Sequence, residues 1–136
     1  MNVAFLGRAQ EHKNIKKFIE KFQDKSRLID FSGKISISFL PTFLANCKML
    51  IAVETGTVHI AHAAGCQTLC LCNGSFYGRF QPYNDDIIKY IYPPSFNKML
   101  ENNEDMTTFY NRNNTFKTNE IDVNTIIKEL NLMINK

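Results

Sequence analysis

The sequence predicts an α/β fold: a Rossmann-like parallel sheet with flanking helices, in a single domain. Two observations carry this. Residues 49–53 (Met-Leu-Ile-Ala-Val) and 68–72 (Thr-Leu-Cys-Leu-Cys) are short apolar runs without polar alternation, as expected of strands buried on both faces of a parallel sheet. Apolar runs also alternate with helical stretches along the first two-thirds of the chain, which is the pattern of strand–helix–strand units.

Taken in order, residues 2–6 read as a first strand. Gly7-Arg8-Ala9-Gln10-Glu11-His12-Lys13 is a polar connection. Asn14 is placed to cap a helix whose stripe is Ile15, Phe18, Ile19 and Phe22, at the spacing of one helix face. Residues 27–31 form a second strand, ended by Ser32-Gly33. Residues 35–46 read as a helix; a start near Ser38 puts Pro41 in its first turn, where proline does little harm. Strand three spans 49–53 and is followed by a turn and a helix, with Gly65 as its C′ residue. Strand four is 68–72, stopped by Asn73-Gly74-Ser75. Strand five is 87–92, ended by Pro93-Pro94.

Residues 95–118 are polar and weakly patterned, so a loop is expected, with a short helix near 96–103. A closing helix over 122–134 has one face made of Val123, Ile126, Ile127, Leu130 and Ile134, with Asp122 or Asn124 as cap. On this reading residues 1–93 form the core. Residues 94–136 add an irregular segment and a C-terminal helix to the same domain.

Length and composition narrow the function. A chain of 136 residues suits one domain, and 44% hydrophobic residues supply a core. The net charge of +3 is spread along the chain and gives no case for nucleic acid. No apolar run is long enough to span a membrane, and the N-terminus lacks the basic leader of a signal peptide. Cys70-Leu71-Cys72 has the wrong spacing for a zinc knuckle, so the cysteines are expected to be core residues of a reducing compartment. His59 and His62 have a metal-pair spacing but no third ligand, so neither metal nor cofactor is expected. There is no P-loop signature and no Gly-x-Gly-x-x-Gly after strand one.

The richest stretch is Glu54-Thr55-Gly56-Thr57-Val58-His59. Amides opening a helix have no partner within it and sit at the positive end of its dipole, which suits an anion. Gly56 gives a sharp turn and lets a ligand approach without a Cβ in the way. Thr55 and Thr57 add hydroxyl donors. The alternative is an ordinary strand-to-helix turn with a Thr cap. Ligands of open parallel sheets bind beyond the carboxyl ends of the strands, so the turns at Gly7-Arg8, at 55–57 and at 73–75 are expected along one edge. Arg8 and Lys13 would bring positive charge there. Glu54 suits ligand hydroxyls, or a helix-cap or salt-bridge role. His59 is within reach of a ligand at the helix mouth, while His62 packs or faces solvent. The aromatic loop at 76–83 either walls a base or sugar pocket by stacking or packs internally.

Residues 29–34 (Ile-Asp-Phe-Ser-Gly-Lys), 39–47 and 49–65 resemble the C-terminal domain of family nine glycosyltransferases, which include the ADP-heptose:lipopolysaccharide heptosyltransferases. There a strand ends in Asp-Thr-Gly-x-x-His before a small-residue helix; here the match is Glu54 to His59, then residues 60–65. Residues 73–83 are similar to a Gly-Arg-Phe-x-Pro-Tyr ending in some members, and Lys13 to a lysine that follows strand one. The resemblance covers residues 3–92.

The resemblance implies the donor-binding half of a two-domain enzyme that transfers a sugar from a nucleoside-diphosphate sugar to a surface glycan or lipopolysaccharide core, without a metal. ADP-heptose is the donor it suggests. Thr55, Gly56 and Thr57 would hold the diphosphate, Lys13 would neutralise it, and Glu54 and His59 would orient sugar or phosphate. Work in the cytoplasm, at the inner face of the inner membrane, is implied too. Glu54 departs from the family's Asp, by a methylene that moves the carboxylate. The length leaves no room for an acceptor domain and its general base. The chain is therefore expected to be a fragment, a decayed copy or a split enzyme that acts with a separate acceptor-domain chain, or else a non-catalytic interaction module that docks on one.

Overall fold

The computed structural model describes residues 1–80, 82–102 and 117–135. It divides into two compact units, Met1–Leu40 and Pro41–Lys136. Among the described residues the strands form two parallel sheets.

In the first unit β1 (Val3–Phe5) pairs in parallel with β2 (Leu28–Asp30). Helix α1 (His12–Ile19) starts two residues before the predicted cap Asn14, because a 3-10 turn over Ala9–Glu11 feeds it. The Glu11 carboxylate accepts the Arg8 N–H at 2.6 Å at the start of that turn. Phe22 lies beyond the end of α1, yet the apolar stripe persists as ring contacts: Phe5 with Phe18 at 5.8 Å and Phe18 with Phe22 at 5.3 Å, both edge-on.

Helix α2 (Leu40–Ala45) is shorter than predicted and has Pro41 in its first turn. Proline is tolerated there because its missing N–H has no intrahelical acceptor to serve.

The second unit holds the sheet β3 (Leu50–Val53), β4 (Thr68–Leu71), β5 (Ile88–Ile91), parallel throughout. Helix α3 (Gly56–Ala63) links β3 to β4. It ends in a Schellman arrangement, with Gly65 at φ 69°, the Cys66 N–H on the Ala61 carbonyl and the Gly65 N–H on that of His62. The central strand β4 is buried along most of its length. β3, predicted to be buried on both faces, is the sheet's edge, and Ile51 and Val53 are each 50% exposed.

One side of the sheet packs Val58, Cys70, Cys72 and Ile88 together. Another cluster joins Leu69, Ile91 and Ile121 to Ile126, Leu130 and Met133 of α5 (Val123–Ile134). The face of α5 thus differs from the predicted one: Val123 and Ile127 are exposed and Met133 takes part. Asp122 caps α5 by accepting the Thr125 N–H. The short helix predicted near 96–103 is α4 (Pro94–Glu101), and its Phe96 is fully buried against Tyr77 and Tyr92. The rest of the predicted loop, residues 103–116, lies outside the described residues. No disulfide joins the four cysteines, of which Cys66, Cys70 and Cys72 are buried.

Candidate functional site

Beyond the carboxyl ends of β3 and β4 lies a cavity of about 580 Å3, lined by Glu54, Thr55, Gly56, His59, Phe76, Arg79, Phe80 and Tyr83. Four of the predicted site residues are therefore gathered here. Thr57 is not among the lining residues, although its amide belongs to the first turn of α3. Gly7, Arg8 and Lys13 lie in the first unit.

Thr55 occupies the N-cap position with extended backbone, but its side chain makes no capping bond. The Thr-cap alternative is not realised, and the first amides of α3 keep the donor capacity that helix termini leave over. Gly56 adopts no left-handed conformation, and a Cβ placed on it would meet no atom within 4 Å. Its predicted role in a sharp turn is not needed by this backbone; what remains is open space on the cavity wall.

Glu54 closes β3. Its Oε2 accepts the Asn73 N–H at 2.7 Å, which ties the β3 exit to the β4 exit. Its Oε1 is buried, and the Cys72 thiol lies within hydrogen-bonding reach of the carboxylate. Buried polar oxygens are normally satisfied. Behind Glu54 the Cys72 thiol is pushed far up, by its hydrogen bond with Cys70, by burial and by the charges of Cys70 and Glu54. The Tyr92 phenol is also pushed far up, chiefly by burial and then by Cys72 and Glu54. Both stay protonated at neutral pH, so the floor behind the carboxylate is uncharged.

The aromatic loop is the far wall. Phe76 and Phe80 contact each other with centroids 5.8 Å apart and remain substantially exposed. His59 Nδ1 lies 2.6 Å from the Tyr83 hydroxyl, and the Phe80 ring meets His59 at 6.2 Å. His62 packs, one of the two expectations for it: it stacks flat on Tyr83, at 3.8 Å and 6°, and its Nε2 reaches Asp85 Oδ2 at 2.5 Å. Of the two expectations for the loop at 76–83, the pocket wall is the one its Phe76, Arg79, Phe80 and Tyr83 fulfil. Asp85 is a partner of His62 that the sequence does not announce, since nothing local pairs it with a histidine 23 positions earlier.

The Asp85 carboxyl is held below its ordinary range, first by the hydrogen bond from His62 and then by the Ile87 N–H. A depressed carboxylate pKa contributes stability above its unfolded value of ~4 and loses it as pH falls through the folded value. Asp85→Asn should therefore lower Tm slightly at neutral pH and flatten the acid limb of Tm against pH. Melts from pH 3 to pH 7 check this; an unchanged acid limb would remove Asp85 as a contributor.

The first unit builds its own loop cluster. The Gly33 N–H donates to the Gly7 carbonyl at 2.8 Å, joining the exits of β1 and β2. Asp30 Oδ1 accepts from the Ser32 N–H at 2.8 Å and the Ser32 hydroxyl at 2.5 Å, and Asp30 Oδ2 lies 2.7 Å from His12 Nδ1. These contacts hold the Asp30 carboxyl below its ordinary range, the Ser32 hydroxyl contributing most. Lys13 follows as an exposed residue in the first turn of α1. No group of three or more potential metal ligands occurs among the described residues. Nor does any described helix have the length and apolarity to cross a membrane.

Parallel strands flanked by helices, with a cavity at the mouth of the helix that follows β3, define a Rossmann-like α/β protein with its candidate site at the carboxyl ends of the strands. The model of glycosyltransferase family 9 (heptosyltransferase) matches residues 1–106, and the chain belongs to that family. In fold it is similar to the crystal structure of the glycosyl transferase family 9 from Veillonella parvula DSM 2008, with a TM-score of 0.70 and 17% identity. That likeness covers 98% of this chain and 36% of the other, so the chain spans about a third of the length of that relative. No curated protein matches the sequence.

Proposed function

We propose that this chain is the donor-binding half of a glycosyltransferase and grips a nucleoside-diphosphate sugar, with ADP-heptose as the candidate, for transfer to a surface glycan or lipopolysaccharide core in the cytoplasm. The observation that carries the reading is the composition of one cavity wall: an uncapped helix mouth at Thr55 and Gly56 beside His59, Arg79 and the rings of Phe76 and Phe80. Cationic and N–H groups suit a diphosphate, and exposed aromatic rings suit a base or sugar face. The Glu54 carboxylate, on the same cavity wall, suits a sugar hydroxyl.

In this role the amides of Gly56 and Thr57 and the hydroxyl of Thr55 hold phosphate oxygens. The resemblance to the family assigns Lys13 to neutralising the diphosphate. As the sugar departs, negative charge grows on the diphosphate, and preorganised donors stabilise it most at that moment. The acceptor hydroxyl and the base that activates it belong to the other half of the enzyme, a separate acceptor-domain chain or segment.

Calorimetry with ADP and ADP-sugars tests this. The intact chain should bind both. Thr55→Ala should weaken binding about two- to thirteenfold, the span of one lost hydrogen bond of ~0.5–1.5 kcal/mol. Lys13→Ala should weaken it about tenfold or more, since a charge-assisted contact is roughly twice as strong. Absence of binding by the intact chain would rule out the donor role.

A further inference from the structure

We infer that Tyr83 is a positioning residue that sets the tautomer of His59, so that His59 offers an Nε2–H donor to the cavity; the ligand side of this inference rests on the nucleotide-sugar reading above. The Tyr83 hydroxyl lies 2.6 Å from His59 Nδ1. A phenol is the stronger acid of the pair, so the hydroxyl donates and Nδ1 accepts. In a neutral imidazole the ring proton then resides on Nε2, the one ring nitrogen this contact leaves over. His59 lines the cavity, and a fixed N–H donor there suits a phosphate or sugar oxygen. Without the hydroxyl the ring would populate both tautomers, and binding would have to select one of them.

Tyr83 is itself held from three directions. Its ring lies flat on His62, which Asp85 anchors, and Asp85 Oδ1 accepts the Ile87 N–H at 2.9 Å. Its backbone N–H donates to the Tyr90 hydroxyl at 3.2 Å, and Tyr90 belongs to β5. Its hydroxyl completes the set on His59. The phenol is therefore fixed by α3 and by the segment entering β5 before any ligand arrives, and a donor fixed in advance needs no reorganisation on binding. This gives the loop a task other than walling the cavity.

The test is Tyr83→Phe in the full chain, which keeps the ring and its stack on His62 and removes one oxygen. Side-chain 15N NMR of histidine-labelled protein reads the His59 tautomer directly, and an ADP titration and a thermal melt accompany it. The wild type should show His59 protonated on Nε2. The variant should show a tautomer mixture, with ADP affinity about tenfold lower and an amide spectrum of native dispersion. A lower Tm with an unchanged tautomer would mean that Tyr83 only packs, and would overturn the inference. So would a wild-type His59 protonated on Nδ1, or a tautomer change that leaves ADP affinity intact. If the wild type binds no ADP, the donor reading fails by itself, and the His59 tautomer still decides whether Tyr83 sets it.

Discussion

Gly74→Ala is expected to destabilise the second unit by roughly 3 kcal/mol or more, the sum of a left-handed backbone strained by a Cβ and an overpacked core. Gly74 sits at φ 83°, in the turn that ends at the cavity wall. A Cβ there would lie 2.3 Å from Phe96 Cδ2 and 2.4 Å from Cε2. Phe96 cannot retreat, because it is fully buried, stacked on Tyr92 at 4.8 Å and edge-on to Tyr77 at 5.4 Å. Gly78 is the internal control. It has a similar φ of 75°, but a Cβ would meet nothing within 4 Å. Gly78→Ala should therefore show the backbone penalty alone, about 1 kcal/mol. Thermal or urea unfolding of the two variants separates sterics from conformation. Equal losses would show that the Gly74–Phe96 contact does not limit stability.

That contact also marks where sequence reading stops. Asn73-Gly74-Ser75 is legible as a turn from its residue types, and the structure shows the Ser75 N–H on Asn73 Oδ1 at 2.9 Å. Nothing local says that Gly74 must admit a ring from 22 positions later. β3, β4 and α3 were legible because unbroken apolar runs and a Gly65 stop are local signals. β3 reads as doubly buried but its face carrying Ile51 and Val53 is half exposed, because an apolar run reports apolarity and not what covers each face. α1 began early because the Glu11 side chain bonds Arg8 at the start of a 3-10 turn, a start the Asn14 cap signal does not show. In the site, Glu54, Thr55, Gly56 and His59 were legible because they sit on one contiguous motif. Arg79 and Tyr83 enter from a loop, and the sequence left open whether that loop faced the cavity or the core.

Gly56→Val is expected to leave folding intact and to cost the nucleotide at least about tenfold in affinity, ~1.4 kcal/mol. The two halves of that expectation have separate causes. The backbone of Gly56 lies outside the left-handed region and a Cβ there meets no atom within 4 Å, so the fold does not require a glycine. Valine has a higher helix propensity than glycine, so Tm should hold or rise slightly. Affinity falls because Gly56 is both on the cavity wall and the first residue of α3. A ligand oxygen that reaches the amides of Gly56 and Thr57 must come within about 3 Å of the backbone, and a branched side chain occupies that approach. On the proposed function Gly74 serves the fold and Gly56 the ligand, although both stand in turns leaving adjacent strands. Calorimetry with ADP beside a thermal melt distinguishes them. A Gly56→Val protein that melts as the wild type does and binds ADP undiminished would show that the diphosphate does not sit at this helix mouth.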